Sequence, residues 1–275
     1  MLTKTVSDIQ QTFKTDIVFS YLNSHRDITD EELSASPMLK IVQEDGDLFP
    51  KHRSEILINA RGLMGGGRNV GDGVALFGNS KLFESDIKLD LSSQISAKNY
   101  KAYPYIFAIY YKYEDKTYYL RGYTGEGADH KMLFIKLTAD NTLILKKKEI
   151  LSIGNSIIQI TPLPANCIEI YILTNSNNDQ NNIVTKRIFD KDNITEITIG
   201  RDSQCTYAFV NDKSFSRLNT RIVYENDNWI IKDGSPERSS KNGTWVFGLH
   251  SFPIKDGMLA EILNSKLRFH ITNHK

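Results

Sequence analysis

The fold of this chain is decided by four short motifs, which read in order Ile199-Gly200-Arg201, Ser214-Phe215-Ser216-Arg217-Leu218-Asn219, Trp229-Ile230-Ile231-Lys232-Asp233 and Ser239-Ser240-Lys241-Asn242-Gly243-Thr244-Trp245. Gly, Asn and Ser residues are typical of turns, and runs of Ile, Val and aromatic residues are typical of strands. The stretch therefore predicts short strands joined by loops that carry Arg, Ser, Lys and Asn side chains.

Similar short runs of β-forming residues recur along the chain from about Ser54, separated by clusters of Gly, Asn, Asp and Ser. The runs before Pro162 are Glu55–Asn59, Val74–Phe77, Ile106–Lys112, Tyr118–Arg121, Leu133–Leu137 and Ile157–Thr161. The runs after it are Ile168–Thr174, Ile197–Ile199, Arg221–Tyr224, Trp229–Lys232, Thr244–Phe247, Ala260–Leu263 and Leu267–Ile271. Many short strands with turn signals between them indicate β-sandwiches.

Proline and helix signals divide the chain into three predicted parts. Pro162-Leu163-Pro164 predicts a domain boundary, because proline cannot continue the ladder of a central strand. Apolar residues from Val6 to Ile17 recur every three or four positions, and Thr29 with Glu32 forms a second helix-start signal. We therefore expect a helical or extended segment over 1–48 and two domains over 49–164 and 165–275. The apolar helix face either packs on the neighbouring domain or docks on a partner.

The four motifs resemble those of the forkhead-associated (FHA) domain family, which has a Gly-Arg turn, a Ser-Arg-x-His turn, a Trp-containing strand and a Ser-x-Asn-Gly-Thr turn. The resemblance covers about 196–271 and implies a sandwich of two antiparallel sheets whose loops at one end bind phosphothreonine peptides. A phosphothreonine carries nearly two negative charges and three acceptor oxygens, which suit the fixed fork of donors on arginine. The chain departs from the family at Asn219, which stands where the family has histidine.

The resemblance also implies which residues would form the site. The expected phosphopeptide-binding residues are Arg201, Ser216, Arg217, Lys241 and Asn242. The two arginines would contact the phosphate or its peptide, the serine would donate its hydroxyl, the lysine would add a donor, and the asparagine would hold the peptide backbone. The residues expected to shape the loops are Gly200, Asn219 and Gly243.

A weaker copy of the same motifs precedes the first. Leu76-Phe77-Gly78-Asn79 stands where Ile-Gly-Arg would, Ser85–Leu89 resembles the next strand of the family, and Gln94–Asn99 stands at the Ser-Arg-x-His turn. The fold class predicted is therefore all-β, with two tandem FHA-type sandwiches and a short helical N-terminal extension. The arginine positions of this copy hold Asn79 and Ala97, so the resemblance implies no phosphate binding there.

Several kinds of chemistry are not expected. A formal net charge of +1 argues against a dedicated nucleic-acid binder. Cys167 and Cys205 lack the spacing of a zinc site, and no motif for catalytic residues, a metal or a cofactor is present. The glycine-rich run over 65–73 lacks the Gly-Lys-Ser/Thr ending of a phosphate-binding P-loop and is interpreted as an inter-strand loop. No apolar run is long enough to span a membrane.

These observations favour a non-enzymatic protein-interaction module that recognises phosphothreonine peptides. The alternative is a constitutive structural subunit of a large assembly, ciliary or axonemal for example, that uses the FHA folds as phosphate-independent contact surfaces. The expected partners are accordingly a phosphothreonine-containing protein or fixed protein subunits. The expected location is intracellular and cytoplasmic, with the cilium or nucleus as alternatives, and the Asn-, Ile- and Lys-rich composition suggests a protist.

Overall fold

The computed structural model of the chain describes residues 28–50, 53, 55–68, 71–79, 84–91, 105–123, 133–138, 141–174, 183–248 and 250–272. Nearly all regular structure in these ranges is β-strand, and the strands form several sheets. The prediction of an all-β fold of the FHA type is therefore confirmed.

Most of the regular elements in the described residues are short strands. In chain order they are α1 (Asp30–Ala35), β1 (Met38–Asp45), β2 (Glu55–Asn59), β3 (Gly62–Leu63), β4 (Val74–Gly78), β5 (Ile87–Lys88), β6 (Phe107–Lys112), β7 (Thr117–Gly122), β8 (Leu133–Lys136), β9 (Leu143–Ile144), β10 (Glu149–Ile153), β11 (Ser156–Leu163), β12 (Cys167–Thr174), β13 (Ile183–Asp190), β14 (Glu196–Gly200), β15 (Tyr207–Ala208), β16 (Thr220–Glu225), β17 (Asn228–Asp233), β18 (Trp245–Phe247), β19 (Ser251–Pro253), β20 (Leu259–Ile262) and β21 (Ser265–Thr272).

The segment over 1–48 contains both a helix and a strand. The N-cap residue of α1 is Thr29, whose hydroxyl accepts from the Glu32 N–H at 3.2 Å while the Glu32 carboxylate accepts from the Thr29 N–H at 3.0 Å. This capping box confirms the second helix-start signal. The helical pattern from Val6 to Ile17 lies outside the described residues. After α1 the chain forms β1, which pairs with β2 and β21.

Alternating burial explains why these runs form strands. In β12 the side chains of Ile168, Ile170 and Ile172 are buried, while the residues between them are partly exposed. Successive side chains of a strand point to opposite faces, so this pattern places all three isoleucines in the core. Each such burial stabilises the fold by about 1.5–3 kcal/mol. By contrast, β4 is buried at every position and forms a central strand.

The chain forms two compact units. The first comprises the described residues up to Leu133 and those from Gly248 onward, and the second is Phe134–Phe247. In the second unit the hydrogen-bonded strands follow the orders β13-β12-β11-β10-β18-β8 and β15-β14-β16-β17-β9. In the first unit the orders are β20-β21-β1-β2-β3 and β19-β7-β6-β4-β5.

The two units repeat the same unusual parallel pair. In the first unit β4 pairs in parallel with β5, and Gly78 ends β4 opposite Lys88. In the second unit β14 pairs in parallel with β15, and Gly200 ends β14 opposite Ala208. An antiparallel hairpin follows in each, β6–β7 and β16–β17. The upstream likeness at Leu76–Asn79 therefore has a structural counterpart.

The same side-chain contact closes both parallel pairs. The Leu76 N–H donates to the Asp86 carboxylate at 2.7 Å, and the Thr198 N–H donates to the Thr206 hydroxyl at 3.1 Å. Each acceptor residue immediately precedes the short strand of its pair. The two units thus correspond along this parallel pair, with Asn79 in the place of Arg201, although the connection is two residues longer in the first unit.

In each unit a long strand pairs with a hairpin that lies on the other side of the boundary predicted between 164 and 165. In the first unit β21, which ends the described chain, pairs with β1 along its length. In the second unit β11 precedes β12 and pairs with it from Ser156↔Thr174 to Leu163↔Cys167. Strands β8–β11 therefore complete the second unit, and β19–β21 complete the first. The predicted boundary between 164 and 165 falls inside the second unit.

The turn between β11 and β12 explains why the predicted boundary falls inside the second unit. Pro164–Asn166 form one 3₁₀ turn, and so short a connection can only join antiparallel neighbours. The indole N–H of Trp229 donates to the Asn166 carbonyl at 2.8 Å and holds this turn against β17. Pro162 lies within β11 opposite Ile168. The two prolines therefore shape a hairpin within one unit.

Candidate functional site

An open groove of about 610 Å³ lies in the second unit, among the loops at the ends of β14, β15 and β17. The residues lining it are Arg201, Lys213, Phe215, Ser216, Arg217, Leu218, Ser235, Arg238, Ser239, Ser240, Lys241 and Asn242. All five residues predicted to bind a phosphopeptide are among them. Sequence reasoning did not select Lys213 and Arg238, which lie outside the quoted motifs.

The Gly-Arg turn is held against the Ser-Arg turn by backbone hydrogen bonds. The Arg201 N–H donates to the Ser216 carbonyl at 2.9 Å, and the Asp202 N–H donates to the Arg217 carbonyl at 3.0 Å. A Cβ atom at Gly200 would lie 2.2 Å from the Arg217 carbonyl oxygen. Only glycine therefore permits this approach, which fixes Arg201 and Arg217 on adjoining loops.

Asn219 takes the place of the family histidine and links two loops of the groove. Its side-chain carbonyl accepts from the Ser216 N–H at 3.0 Å, and its side-chain amide donates to the Gly243 carbonyl at 2.9 Å. The residue is fully buried. Asparagine thus supplies both an acceptor and a donor here and joins the Ser-Arg turn to the Asn-Gly turn.

The Asn242-Gly243 turn closes the groove on the side of Ser216. The Asn242 N–H donates to the Ser216 hydroxyl at 3.2 Å, so that hydroxyl can still donate its own proton to a ligand. The Asn242 side-chain amide donates to the Ser214 carbonyl at 2.5 Å, which leaves its Oδ1 for a peptide N–H. Gly243 has a φ of 82°, the left-handed conformation that favours glycine.

A buried carboxylate lies beneath the loop between β17 and β18. Asp233 is 2% exposed and accepts from the Ser240 N–H at 2.9 Å, the Ser240 hydroxyl at 2.6 Å and the Thr244 hydroxyl at 2.8 Å. These charge-assisted bonds anchor the start and end of the loop that carries Arg238 and Lys241. The signal in the sequence was an acidic residue at an inward-facing position of β17.

Residues that precede Pro162 also support the groove. The turn between β10 and β11 contacts Ser214, whose hydroxyl accepts from the Asn155 N–H at 3.2 Å. On β8, Lys136 pairs in register with Trp245 and lies 5.9 Å from the centre of its ring. The site therefore depends on residues that precede the predicted domain boundary.

The groove is strongly positive although the chain as a whole is nearly neutral. Its lining residues include five cations, namely Arg201, Lys213, Arg217, Arg238 and Lys241, and no acid. Two of the three acidic residues that adjoin its cations in sequence form hydrogen bonds within their own loops. The Asp202 carboxylate accepts from the Gln204 N–H, and the Asp212 carboxylate accepts from Ser214.

Residues 197–269 match the family model of the FHA domain. The chain carries an FHA domain. The matched residues include β14–β18 of the second unit and continue through β19 and β20 into β21 of the first. A search of curated proteins found no match. FHA domains are non-enzymatic phosphothreonine-peptide recognition modules, so the domain supports a protein-interaction role.

The first unit has no arginine at the position that corresponds to Arg201. Asn79 follows Gly78 where Arg201 follows Gly200, and Ser96 and Ala97 lie outside the described residues. In the glycine-rich loop of this unit, the half-buried Arg68 is paired with Asp72 at 3.0 Å and Asp86 at 3.2 Å. Arg68 is thus paired with one carboxylate of the loop and with a second, Asp86, that precedes β5.

The described residues contain no group of three or more His, Cys, Asp or Glu residues that could hold a metal ion. Across the same ranges, no helix is both long and apolar enough to cross a membrane.

Proposed function

We propose that the FHA domain of this chain binds phosphothreonine peptides in the groove of its second unit. The observation that carries the proposal is the convergence of Arg201, Ser216, Arg217, Lys241 and Asn242 on one groove without any acidic lining residue. A phosphothreonine brings nearly two negative charges and three acceptor oxygens to such a surface.

Each of these residues has a separate role in the proposed binding of the phosphopeptide. The Arg201 and Arg217 guanidinium groups offer several fixed donors to the phosphate oxygens. The Ser216 hydroxyl accepts from the Asn242 N–H and therefore has its own proton left to donate to a third phosphate oxygen. The Asn242 Oδ1 accepts from the peptide backbone, and the Lys241 ammonium adds a positive charge. None of these side chains needs to break a described ion pair first.

Binding of the full chain to phosphothreonine peptides tests the proposal. A degenerate phosphothreonine library and its unphosphorylated counterpart are compared by capture, and selected peptides are titrated by fluorescence polarisation. Arg201→Ala should weaken phosphopeptide binding at least about tenfold, because a hydrogen bond to a charged group contributes about 1.5–3 kcal/mol. Its melting temperature should stay close to that of the native protein, because the side chain is exposed.

Arg187→Ala is the matched control, because Arg187 is an exposed arginine on β13 outside the groove. It should bind as the native protein does. Equal affinity of Arg201→Ala and native protein for the phosphopeptide would remove Arg201 from the site. Equal capture by the two libraries would reject phosphothreonine recognition.

Asn79, which stands at the position of Arg201, favours a different role for the first unit. This unit keeps the strand pairing of the second but lacks the arginine, so we propose that it is a phosphate-independent contact surface. Its partner should remain bound to the full chain after phosphatase treatment and in the Arg201→Ala variant. Release of every bound partner under those conditions would contradict this role.

A further inference from the structure

The groove carries more positive charge than one phosphothreonine can neutralise. Its five lining cations face a group of charge about −1.5 to −2, so about three positive charges stay unmatched. Lys213 and Arg238 are the two cations that the proposed phosphate contacts do not use. Both are exposed, and they lie on different loops.

The loops that carry these two cations are fixed. The backbone carbonyl of Lys213 lies 3.4 Å from the Asn242 side-chain nitrogen, and the Asn242 amide also binds the next residue, Ser214. Arg238 closes a tight turn, because its carbonyl accepts from the Ser235 N–H at 3.0 Å. Because the loops are already fixed, only the two side chains have to become ordered when a charged ligand binds.

Nearby acidic residues neutralise only a small part of the positive charge of Lys213 and Arg238. Glu237 lies in the same turn as Arg238, where a hydrogen bond from Ser235 lowers the pKa of its carboxyl group and Arg221 and Arg238 lower it further. The glutamate does not line the groove. No described salt bridge includes Lys213 or Arg238.

We infer that the preferred ligand is a phosphothreonine segment with further anionic groups next to the phosphothreonine, and that Lys213 and Arg238 recognise those groups. The inference rests on the proposed phosphothreonine function and names its ligand class. The added anion is either a carboxylate, from Asp or Glu, or a second phosphate. Both present oxygen acceptors to Lys and Arg, so the experiment has to separate them.

The test uses the full chain and peptides that share one phosphothreonine and differ only in their flanks. The flanks are neutral, acidic through Asp and Glu, or phosphorylated a second time, and an unphosphorylated acidic peptide completes the set. The acidic-flanked phosphopeptide should bind about five- to tenfold tighter than the neutral one, as expected for two exposed charge contacts. The preference should shrink at high salt, which screens exposed charges.

The double variant Lys213→Gln/Arg238→Gln should lose this preference and keep its affinity for the neutral-flanked phosphopeptide. Lys148→Gln/Lys186→Gln removes two exposed charges outside the groove and should keep the preference. A larger gain for the doubly phosphorylated peptide than for the carboxylate peptide would assign the second anion as phosphate, and the reverse as carboxylate.

The outcomes separate the two proposals. Equal affinity for neutral and acidic flanks, with both phosphopeptides bound, overturns this inference alone. Loss of the preference in the control double variant as well overturns the assignment to Lys213 and Arg238. Failure of every phosphopeptide to bind, or equal binding of the unphosphorylated acidic peptide, overturns phosphothreonine recognition and this inference with it.

Discussion

Replacing Asn219 by alanine should weaken both the stability of the second unit and its ligand binding. The side chain is fully buried and joins two loops that carry the proposed binding residues. Alanine cannot replace either hydrogen bond. The Gly243 carbonyl would then lose its partner in the buried interior and the Ser216 N–H would lose its partner in a partly buried position, and a small cavity would form.

The magnitude follows from these two bonds. Leaving a buried donor or acceptor unsatisfied costs about 1–3 kcal/mol. Partial relaxation and water entry reduce the sum, so we expect Asn219→Ala to lower the free energy of unfolding of the second unit by about 2–4 kcal/mol. Phosphopeptide affinity should fall at least about tenfold, because Ser216 and Asn242 are no longer held in register.

Tryptophan fluorescence can follow this unit within the full chain. The chain has two tryptophans, Trp229 and Trp245, and both lie in the second unit. Urea unfolding monitored by their emission therefore reports the unit that contains Asn219. Since a chain with two units need not unfold in one step, a probe confined to one unit is required.

Two further variants serve as controls for Asn219→Ala. Asn193→Ala removes an exposed asparagine and should change the unfolding free energy by less than about 0.5 kcal/mol. Asn219→His introduces the family residue, and phosphopeptide binding should survive if the ring links the same two loops. A loss below about 1 kcal/mol in Asn219→Ala would refute the bracing role, since it is smaller than the expected penalty for unsatisfied buried groups.

Two other predictions concern stability and domain organisation. Burial raises the pKa of Glu149 from 4.5 to about 7, so the folded protein holds this proton more tightly than the unfolded chain, and the resulting stability falls as pH rises from about 4.5 through 7. Urea unfolding should therefore show Glu149→Gln to be more stable than the native protein above pH 7.5, by up to about 3 kcal/mol. Near pH 4 the two proteins should be equally stable. Parallel pH profiles of the unfolding free energy would contradict this prediction. A fragment over 165–275 lacks β8–β11 and should not fold, whereas 134–247 contains every strand of the second unit and should give dispersed amide NMR signals. Cooperative unfolding and phosphopeptide binding by 165–275 alone would show that β8–β11 are dispensable.

Much of the secondary structure could be predicted from local pattern. The thirteen runs identified as strands all contain strand residues, because β-branched and aromatic residues favour strands and the Gly, Asn, Asp and Ser clusters between them favour turns. Strands such as β1, β10 and β13 were not identified. Their apolar residues are mixed with Lys, Glu and Asp, and pairing with neighbouring strands stabilises them more than local pattern reveals.

The site was predictable to the extent that its residues lie in motifs. Arg201, Ser216, Arg217, Lys241 and Asn242 were selected from the sequence, and the structure places all five on one groove. Lys213 and Arg238 were not selected, because they belong to no motif and are brought to the groove only by the folding of their loops. The same holds for the hydrogen bond between the Asn155 N–H and Ser214.

The amino-acid sequence by itself determined the strand content, the turn at Gly200 and the set of charged loop residues, because these depend on side-chain pattern and backbone conformation over a few positions. Only the tertiary structure decided which strands share a sheet. The pairing of β11 with β12 follows from the three-residue turn at Pro164–Asn166, and the pairing of β21 with β1 joins residues more than 200 positions apart. Strand partners depend on turn geometry and on burial against distant residues, which no local pattern contains.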